Sequence, residues 1–163
     1  MAYMPFDVGV QYDDSVQPGA DARPLMGEFC VAVCSPRAKG RAAMARGDFR
    51  AAPLLQLRTR MGAWGEWFAQ TPHALPPESL VTGHRFDLFS SLVAAVRADL
   101  GVGLVPLYYV ERELRSGELL LACAHRAPSS RGYSVFMAPN RTADPLAEAF
   151  VEWLCAAGAA SQP

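Results

Sequence analysis

The segment from Ala94 to Pro106, AAVRADLGVGLVP, constrains the fold of this chain more than any other stretch. Its pattern predicts the end of a helix, a tight glycine turn and a short buried strand that stops at a proline. The glycine inside the strand, Gly103, allows another backbone or a ligand to come close. Because the segment holds no evident nucleophile or metal ligand, it is typical of a binding fold rather than of a catalytic centre.

The charge and the length of the chain exclude several classes of partner. The 163 residues carry a formal net charge of −1, and Lys39 is the one lysine among 15 basic residues. Such a balance gives no global positive field for nucleic acid or anionic lipid. A chain of this length buries one full core or two small lobes. The sequence has neither the pattern of a signal peptide nor an apolar run of membrane-spanning length, so we expect a cytoplasmic protein without membrane contact.

The sequence shows no motif for a metal, a cofactor or a covalent intermediate. Cys30 and Cys34 lie in one predicted strand, where extended chain separates them by roughly 13 Å, which is too far for a disulfide. There is no CxxC pair and the histidines are scattered, so we expect free thiols and no metal site. The GxGxxG, Walker and GxSxG patterns are missing as well, so we expect no cofactor and no catalytic residue.

Apolar patterns predict strands and helices in turn along most of the chain. The predicted strands are 6–12, 29–34, 53–57, 80–86, 102–105, 119–124 and 133–138. The predicted helices start at Ser35-Pro36, at Met61, at Asp87 as N-cap, at Tyr108 and at Asp144-Pro145, the last with Leu146, Phe150, Val151 and Leu154 inward and Gly158 as its end. Residues 13–24 are expected to form a loop. The alternation predicts an α/β fold with a mainly parallel sheet.

Several short blocks along the chain follow an order that is characteristic of one family. The blocks are 6–12 (FDVGVQY), 28–36 (EFCVAVCSP), 64–67 (WGEW), 86–87 (FD), 94–106, 113–119 (ELRSGEL), 132–139 (GYSVFMAP) and 149–154 (AFVEWL). No single block is specific, but their order over nearly the whole chain resembles the effector-binding domain of LysR-type transcriptional regulators. The paired tryptophans resemble the glycine-cleavage-activator and AmpR-like branch of that family in particular.

The resemblance implies a type 2 periplasmic-binding-protein fold, in which two α/β lobes surround a cleft and two crossover segments join them. Residues 1–28 together with 129–163 would form a partial first lobe, and residues 29–128 the second lobe. The crossovers would lie near 27–31 and 125–133. The family's winged helix and the opening elements of its first lobe have no counterpart in the sequence, so the first lobe is expected to be incomplete.

The sequence departs from the family pattern at three positions. Gln11 and Asp13 stand where the family often has arginine and glycine. Asp99 replaces the usual first glycine of the family's glycine turn. Aspartate adopts the left-handed conformation more readily than most residues, so the turn is expected to form.

Five residues are candidate ligand contacts: Tyr12, Asp13, Phe86, Asp87 and Tyr133. Tyr12 and Asp13 end the first strand, at the edge where open α/β sheets bind ligands, although a solvated loop is the alternative. Phe86 and Asp87 lie at a strand-to-helix junction whose backbone N–H groups suit a carboxylate or phosphate, but Asp87 as a cap competes with an anion. Tyr133 opens a strand at the second crossover, and an ordinary sheet tyrosine is its alternative.

Two further patterns have a structural and a functional interpretation. Trp64 and Trp67 either stack a ligand or, as we favour, anchor their helix to its own lobe. A run of basic residues suits a DNA or phosphate surface or, as we favour, a solvated face that forms local pairs. Its members are Arg37, Lys39, Arg41, Arg46, Arg50, Arg58 and Arg60.

Together these features predict a small-molecule sensor rather than an enzyme. The effector is expected to be an amino acid, a peptide or an organic acid, and its binding would shift the population between two lobe arrangements. The domain would form a homodimer or pair with full-length relatives, and DNA would be contacted only through a winged-helix domain outside this chain. The alternatives are a stand-alone protein–protein interaction module that uses an unpaired sheet edge, and an enzyme on a two-lobed binding-protein fold.

Overall fold

The computed structural model describes residues 6–12, 22–72, 80, 83–138 and 144–160. The chain divides into two compact units, unit 1 with Met1–Glu28 and Ser129–Pro163, and unit 2 with Phe29–Pro128. Unit 1 contains the strands β1 Val8–Tyr12, β2 Ala22–Met26 and β8 Tyr133–Met137 and the helix α5 Pro145–Ala160. Unit 2 contains β3 Phe29–Cys34, α1 Arg41–Ala45, β4 Leu54–Leu57, a 3-10 turn Arg58–Arg60, α2 Ala63–Ala69, β5 Arg85–Phe86, α3 Phe89–Arg97, β6 Val102–Pro106, α4 Leu107–Ser116 and β7 Leu120–Pro128. Within the described residues, no helix is both long and apolar enough to cross a membrane.

The sheet of unit 1 has three strands in the order β1-β8-β2, and both pairings are antiparallel. Strand β2 is a correction, because 13–24 was predicted to be a loop and its last three residues are extended. Pro24 misled the prediction, but a proline is tolerated at a sheet edge because a missing N–H breaks no central ladder. The register shifts between Pro24 and Met26, where β2 passes the proline. Residues 13–21 lie outside the described residues.

Helix α5 packs on the sheet of unit 1 through Ala147 and Val151, and Leu154 packs partly buried against the same core, so Val151 and Leu154 face inward as predicted. The helix starts at Pro145 as predicted, and Asp144 Oδ1 accepts from the backbone N–H of Leu146 at 3.0 Å. Ala147 and Val151 are buried, whereas Leu146 is 79% exposed and Phe150 is 47% exposed, so the prediction of an inward Leu146 and Phe150 is wrong. A Cβ at Gly158 would lie 2.4 Å from the Leu25 carbonyl oxygen, so the helix packs closely on β2 at this glycine. The helix continues to Ala160, so the prediction that Gly158 ends it is wrong.

This orientation of α5 predicts losses of very different size for two truncations on the same helix. Val151→Ala removes side-chain atoms that are 1% exposed and is expected to lower the free energy of unfolding by about 2 kcal/mol. Leu146→Ala, on the exposed side, is expected to change it by less than about 0.5 kcal/mol. Urea unfolding followed by circular dichroism measures both. Equal losses for the two variants would contradict the burial pattern.

The sheet of unit 2 has five strands in the order β5-β4-β6-β3-β7. Strand β4 is parallel to β5 and β6, but β3 is antiparallel to both of its neighbours, β6 and β7. The prediction of a mainly parallel sheet is therefore wrong. Helical crossovers do give β4, β5, β6 and β7 one common direction, as the alternation implied. The reversed β3, which follows β2 after only two residues, inserts between β6 and β7 and turns two pairings antiparallel.

Residues of the unit 2 sheet alternate between two apolar layers, as the period of a strand requires. Beneath α1 and α2 the layer is aromatic, with Phe49, Trp64, Trp67 and Phe68 all no more than 2% exposed. Beneath α3 and α4 it is aliphatic, with Leu92, Val96 and Val105 at its centre. The burial of Trp64 and Trp67 matches our preferred interpretation that they anchor α2 to its own unit.

The first helix of unit 2 starts later than predicted. The Ser35 hydroxyl accepts from the backbone N–H of Arg37 at 3.1 Å, but this closes only a turn. The helix begins at Arg41, after Gly40 has adopted a left-handed φ of 77°. The predicted strand 80–86 is also shorter, since β5 comprises Arg85–Phe86, while residues 81–82 lie outside the described residues.

The segment 94–106, with its glycine turn, folds as its pattern predicts. Helix α3 ends at Arg97, Asp99 adopts a left-handed φ of 64°, and β6 is buried along its whole length. Gly103 does permit a close approach, but the approaching group is α3 itself. A Cβ at Gly103 would lie 2.6 Å from Leu92 Cδ2 and 2.8 Å from Val96 Cγ2. The glycine thus sets how closely α3 packs on β6.

Candidate functional site

Unit 1 brings two of the predicted contact residues together. Tyr12 and Tyr133 are register partners on β1 and β8, and their ring centroids are 5.0 Å apart. The Tyr12 hydroxyl donates to Glu28 Oε1 at 3.3 Å and lies 3.1 Å from Ser129 Oγ. Since Glu28 is 2% exposed, it is a buried acidic group beside a phenol. The predicted contact Asp13 lies outside the described residues.

Glu28 and Ser129 are members of this tyrosine cluster that the sequence reasoning missed. The backbone N–H of Ser129 donates to the Glu28 carbonyl oxygen at 2.7 Å, which ties together the two chain segments that leave unit 1. The Ser129 hydroxyl also accepts from the backbone N–H of Arg131 at 3.3 Å. The available signal was positional, because both residues adjoin the crossovers that the family resemblance placed at 27–31 and 125–133.

In unit 2, the carboxyl ends of β4, β5 and β6 meet at one edge of the sheet because the three strands run parallel. Phe86 ends β5 there and packs partly against the aliphatic layer. Asp87 follows it, and its Oδ1 lies 3.5 Å from Arg58 Nε. Both side chains of this pair are more than half exposed, so water screens it and its contribution to stability is small.

Asp87 does not cap α3, which corrects the predicted role. The N-cap residue is Leu88, and no side chain caps the helix there. Leu88 has an extended backbone conformation and its carbonyl accepts from the N–H of Leu92 at 3.1 Å, so Asp87 lies one position before the N-cap. The first N–H groups of a helix have no intrahelical partner, so this helix start retains the capacity to bind an anion.

Arg58 and Arg60 stand at the same strand edge and were missed as site residues. The Arg60 guanidinium lies 4.8 Å from the centroid of the Phe89 ring, and that ring is 5.4 Å from the ring of Tyr109. Sequence reasoning placed both arginines in a solvated basic run. Their position directly after the apolar strand β4 was the signal that separates them from the rest of that run. We refer to Arg58, Arg60, Asp87 and the start of α3 as the edge site.

Three other arginines of the basic run bind neighbouring groups at the protein surface. Arg50 binds Asp48 through two side-chain hydrogen bonds of 2.9 and 2.7 Å, and these hold the pKa of that carboxyl well below its usual range. Arg41 donates to the Pro36 carbonyl, and Arg37 to that of Arg97. These contacts are of the kind expected for a pair-forming solvated face.

The cysteines are free thiols, as predicted. Burial raises the pKa of the Cys34 and Cys123 thiols, so both stay protonated at neutral pH and are poor nucleophiles. Among the described residues, no group of three or more His, Cys, Asp or Glu side chains is placed to hold a metal ion.

Several solved structures share this fold. The effector domain of the transcriptional regulator AmpR of Pseudomonas aeruginosa matches with a TM-score of 0.75 at 24% identity, covering 94% of this chain and 73% of that one. The AmpR effector binding domain from Citrobacter freundii matches with a TM-score of 0.73 at 21% identity, covering 95% and 76%. A regulatory-domain variant of AphB from Vibrio vulnificus matches with a TM-score of 0.70 at 14% identity, covering 96% and 78%.

Sequence comparison identifies the family directly. No curated protein sequence matches the chain significantly. A family model described as the LysR substrate binding domain, however, matches residues 5–159. The type 2 periplasmic-binding-protein-like fold that the resemblance implied is confirmed. The chain belongs to the LysR substrate-binding-domain family, the effector domains of LysR-type transcriptional regulators.

Proposed function

We propose that this chain senses a small molecule that carries a carboxylate, and that the edge site binds the carboxylate. The observation that carries the proposal is the uncapped start of α3 beside Arg58, in a member of an effector-binding family. An incoming carboxylate would replace Asp87 as the partner of Arg58 and accept backbone N–H bonds from the helix start. Organic acids, amino acids and acidic peptides share this group.

The other predicted contacts remain part of this proposal. Phe86 and the Arg60–Phe89–Tyr109 stack offer apolar and aromatic surface beside the edge site for the body of an effector. Within unit 1, taken by itself, the tyrosine cluster offers phenol groups and a buried acidic side chain, which suit an amino group or a hydroxyl of a ligand. Binding would shift the population between two arrangements of the domain, and it requires no covalent chemistry.

We also propose that the chain acts in the cytoplasm as part of a dimer, either with a second copy or with a full-length relative. DNA contact would belong to a winged-helix domain outside this sequence. A stand-alone interaction module is the second candidate, and one observation favours it. Leu146, Phe150 and Trp153 of α5 are exposed, and the Phe150 and Trp153 rings stack with centroids 5.7 Å apart.

A thermal-shift screen with organic acids, amino acids and peptides tests the first candidate, because a ligand that binds only the folded state raises Tm. Isothermal titration then gives the Kd of each compound that raises Tm. Arg58→Gln is expected to raise that Kd about tenfold or more, since a hydrogen bond to a charged group contributes about 1.5–3 kcal/mol. Asp87→Asn is expected to lower it, because the competing carboxylate is removed.

Arg50→Gln is the matched control, because Arg50 is an exposed arginine that pairs with Asp48 outside the edge site. It is expected to leave the Kd within twofold. An equal loss in the two arginine variants would refute the edge site. A Tm that no compound raises but that increases with protein concentration would favour the interaction module instead. Chemical conversion of a bound compound would point to an enzyme.

A further inference from the structure

We propose that unit 2 holds a second small-molecule site, the His125 pocket, which takes a small planar carboxylic acid. The pocket has a volume of about 190 Å³ and its walls include Arg46, Phe49, Trp67, Phe68, Cys123 and His125. It shares no residue with the edge site, so the inference does not depend on the proposed function. A dry cavity of about 150 Å³ in another protein admits benzene, so this volume is sufficient for a single ring.

Two buried nitrogen atoms at this pocket lack partners. Trp67 Nε1 and His125 Nε2 are covered and have no hydrogen-bond partner among the described residues. Buried polar groups nearly always have one, and leaving a donor unpaired is unfavourable. The ring centroids of the two side chains lie 4.9 Å apart, so a ligand that reaches one of these nitrogens also lies beside the other ring.

Trp64 shows that the unpaired donor is particular to this pocket. It lies one turn earlier on α2 and is 2% exposed, as Trp67 is. Yet its Nε1 donates to the Leu55 carbonyl oxygen at 2.9 Å. The two tryptophans are equally buried on one helix, but the protein supplies a hydrogen-bond acceptor to the Nε1 atom of Trp64 and none to that of Trp67 among the described residues. At Trp67 we infer that the ligand supplies it.

Strand β7 is irregular where it borders the pocket. Val31 on β3 pairs with Arg126 and Val33 pairs with Leu121, so residues 122–125 face the single residue Ala32. Such bulges redirect side chains and often lie beside functional sites. Cys123, Ala124 and His125 all border the pocket and all belong to this bulge. Both nitrogens are covered, so the proposal requires the half-buried His125 ring to turn outward when the ligand enters.

The chemistry of the walls selects the ligand. Phe49, Trp67 and Phe68 offer aromatic surface to a planar apolar body. Trp67 Nε1 donates only, so the ligand must present an acceptor oxygen. Arg46 adds positive charge at the rim, while the nearby carboxylate of Asp48 is already held by Arg50. These groups together favour a carboxylate over a neutral carbonyl.

The test uses nuclear magnetic resonance of the indole N–H groups in the 163-residue chain. Phenylacetate is titrated as the probe, and toluene, which has the same ring and no acceptor, is the matched compound. Phenylacetate is expected to shift the Trp67 Nε1–H resonance saturably and to leave that of Trp64 unmoved. Toluene is expected to bind at least tenfold more weakly.

Two variants complete the test. Trp67→Phe keeps a ring but removes the donor, so it is expected to raise the Kd for phenylacetate at least tenfold. Arg58→Gln, which affects the edge site alone, is the control and is expected to leave it within twofold. Should Trp67→Phe not fold, the wild-type resonances still decide the matter. Absence of a saturable shift, an equal Kd for toluene, or a crystal structure with only a water between the two nitrogens would overturn the proposal.

Discussion

Replacing Trp64 with alanine is expected to lower the free energy of unfolding by about 4–5 kcal/mol, near the upper end for a large-to-small core substitution. The ring is 2% exposed, stacks on Phe68 with centroids 5.6 Å apart, and contacts Phe49 and Trp67. The substitution removes this packing and also leaves the buried Leu55 carbonyl without its 2.9 Å hydrogen bond. Because a domain of this size has about 5–15 kcal/mol of stability, unit 2 should be largely unfolded at moderate urea.

Trp153→Ala provides the matched control for this prediction. Trp153 is 62% exposed on α5 and its ring contacts Phe150 alone among the described aromatic pairs. Its replacement is expected to cost less than about 1 kcal/mol. Urea denaturation followed by circular dichroism compares the two variants, and hydrogen exchange of the β3 and β6 amides reports unit 2 specifically. A loss for Trp64→Ala below about 2 kcal/mol would mean that the aromatic layer is not the main support of the unit.

The burial of this aromatic layer was predictable because it depends on local pattern. Trp64, Trp67 and Phe68 fall on one face of any helix that spans them, and the sequence alone places that face inward. The turn after α3 was equally predictable, since aspartate tolerates the left-handed conformation that Asp99 adopts. Features of a single helix or turn can be predicted from the sequence because residues close together in the chain determine them.

The order of the strands was not predictable in this way. Nothing in the six residues of β3 says that they insert between β6 and β7, because both neighbours come much later in the chain. Which face of α5 turns towards the core was not predictable either. It depends on how closely Gly158 approaches Leu25, and periodicity instead favoured the large residues Leu146 and Phe150 as the inward face.

At the edge site, the position of Asp87 was predictable from the sequence but its partner was not. That Asp87 stands at a strand-to-helix junction was evident from its neighbours. Its true partner, Arg58, lies on another element and becomes adjacent only because β4 and β5 are parallel register neighbours. The residues next to Asp87 in the sequence predicted that it would cap the free N–H groups at the start of the following helix. The parallel pairing replaces that role with an ion pair, and the start of α3 has no side-chain cap.

Gly103→Ala is expected to lower the free energy of unfolding by about 2–3 kcal/mol, the cost of inserting a methyl group into a packed core. The new Cβ would lie 2.6 Å from Leu92 Cδ2 and 2.8 Å from Val96 Cγ2. Neither side chain has room to yield, because Leu92 is 1% exposed and Val96 is fully buried and stiff at χ1. Relief therefore requires α3 to move away from β6.

Movement of α3 links this glycine to the edge site, since the helix start that would bind a carboxylate belongs to the same rigid element. We therefore expect Gly103→Ala to weaken effector binding about tenfold as well as stability, although Gly103 contacts no ligand. Gly27→Ala is the control, because a Cβ there meets nothing within 4 Å, and it should change stability by less than about 0.5 kcal/mol. Urea denaturation and titration with the same effector measure both quantities. If Gly103→Ala lost stability but kept full affinity, the helix start would not be positioning the carboxylate, and Arg58 alone would have to account for binding.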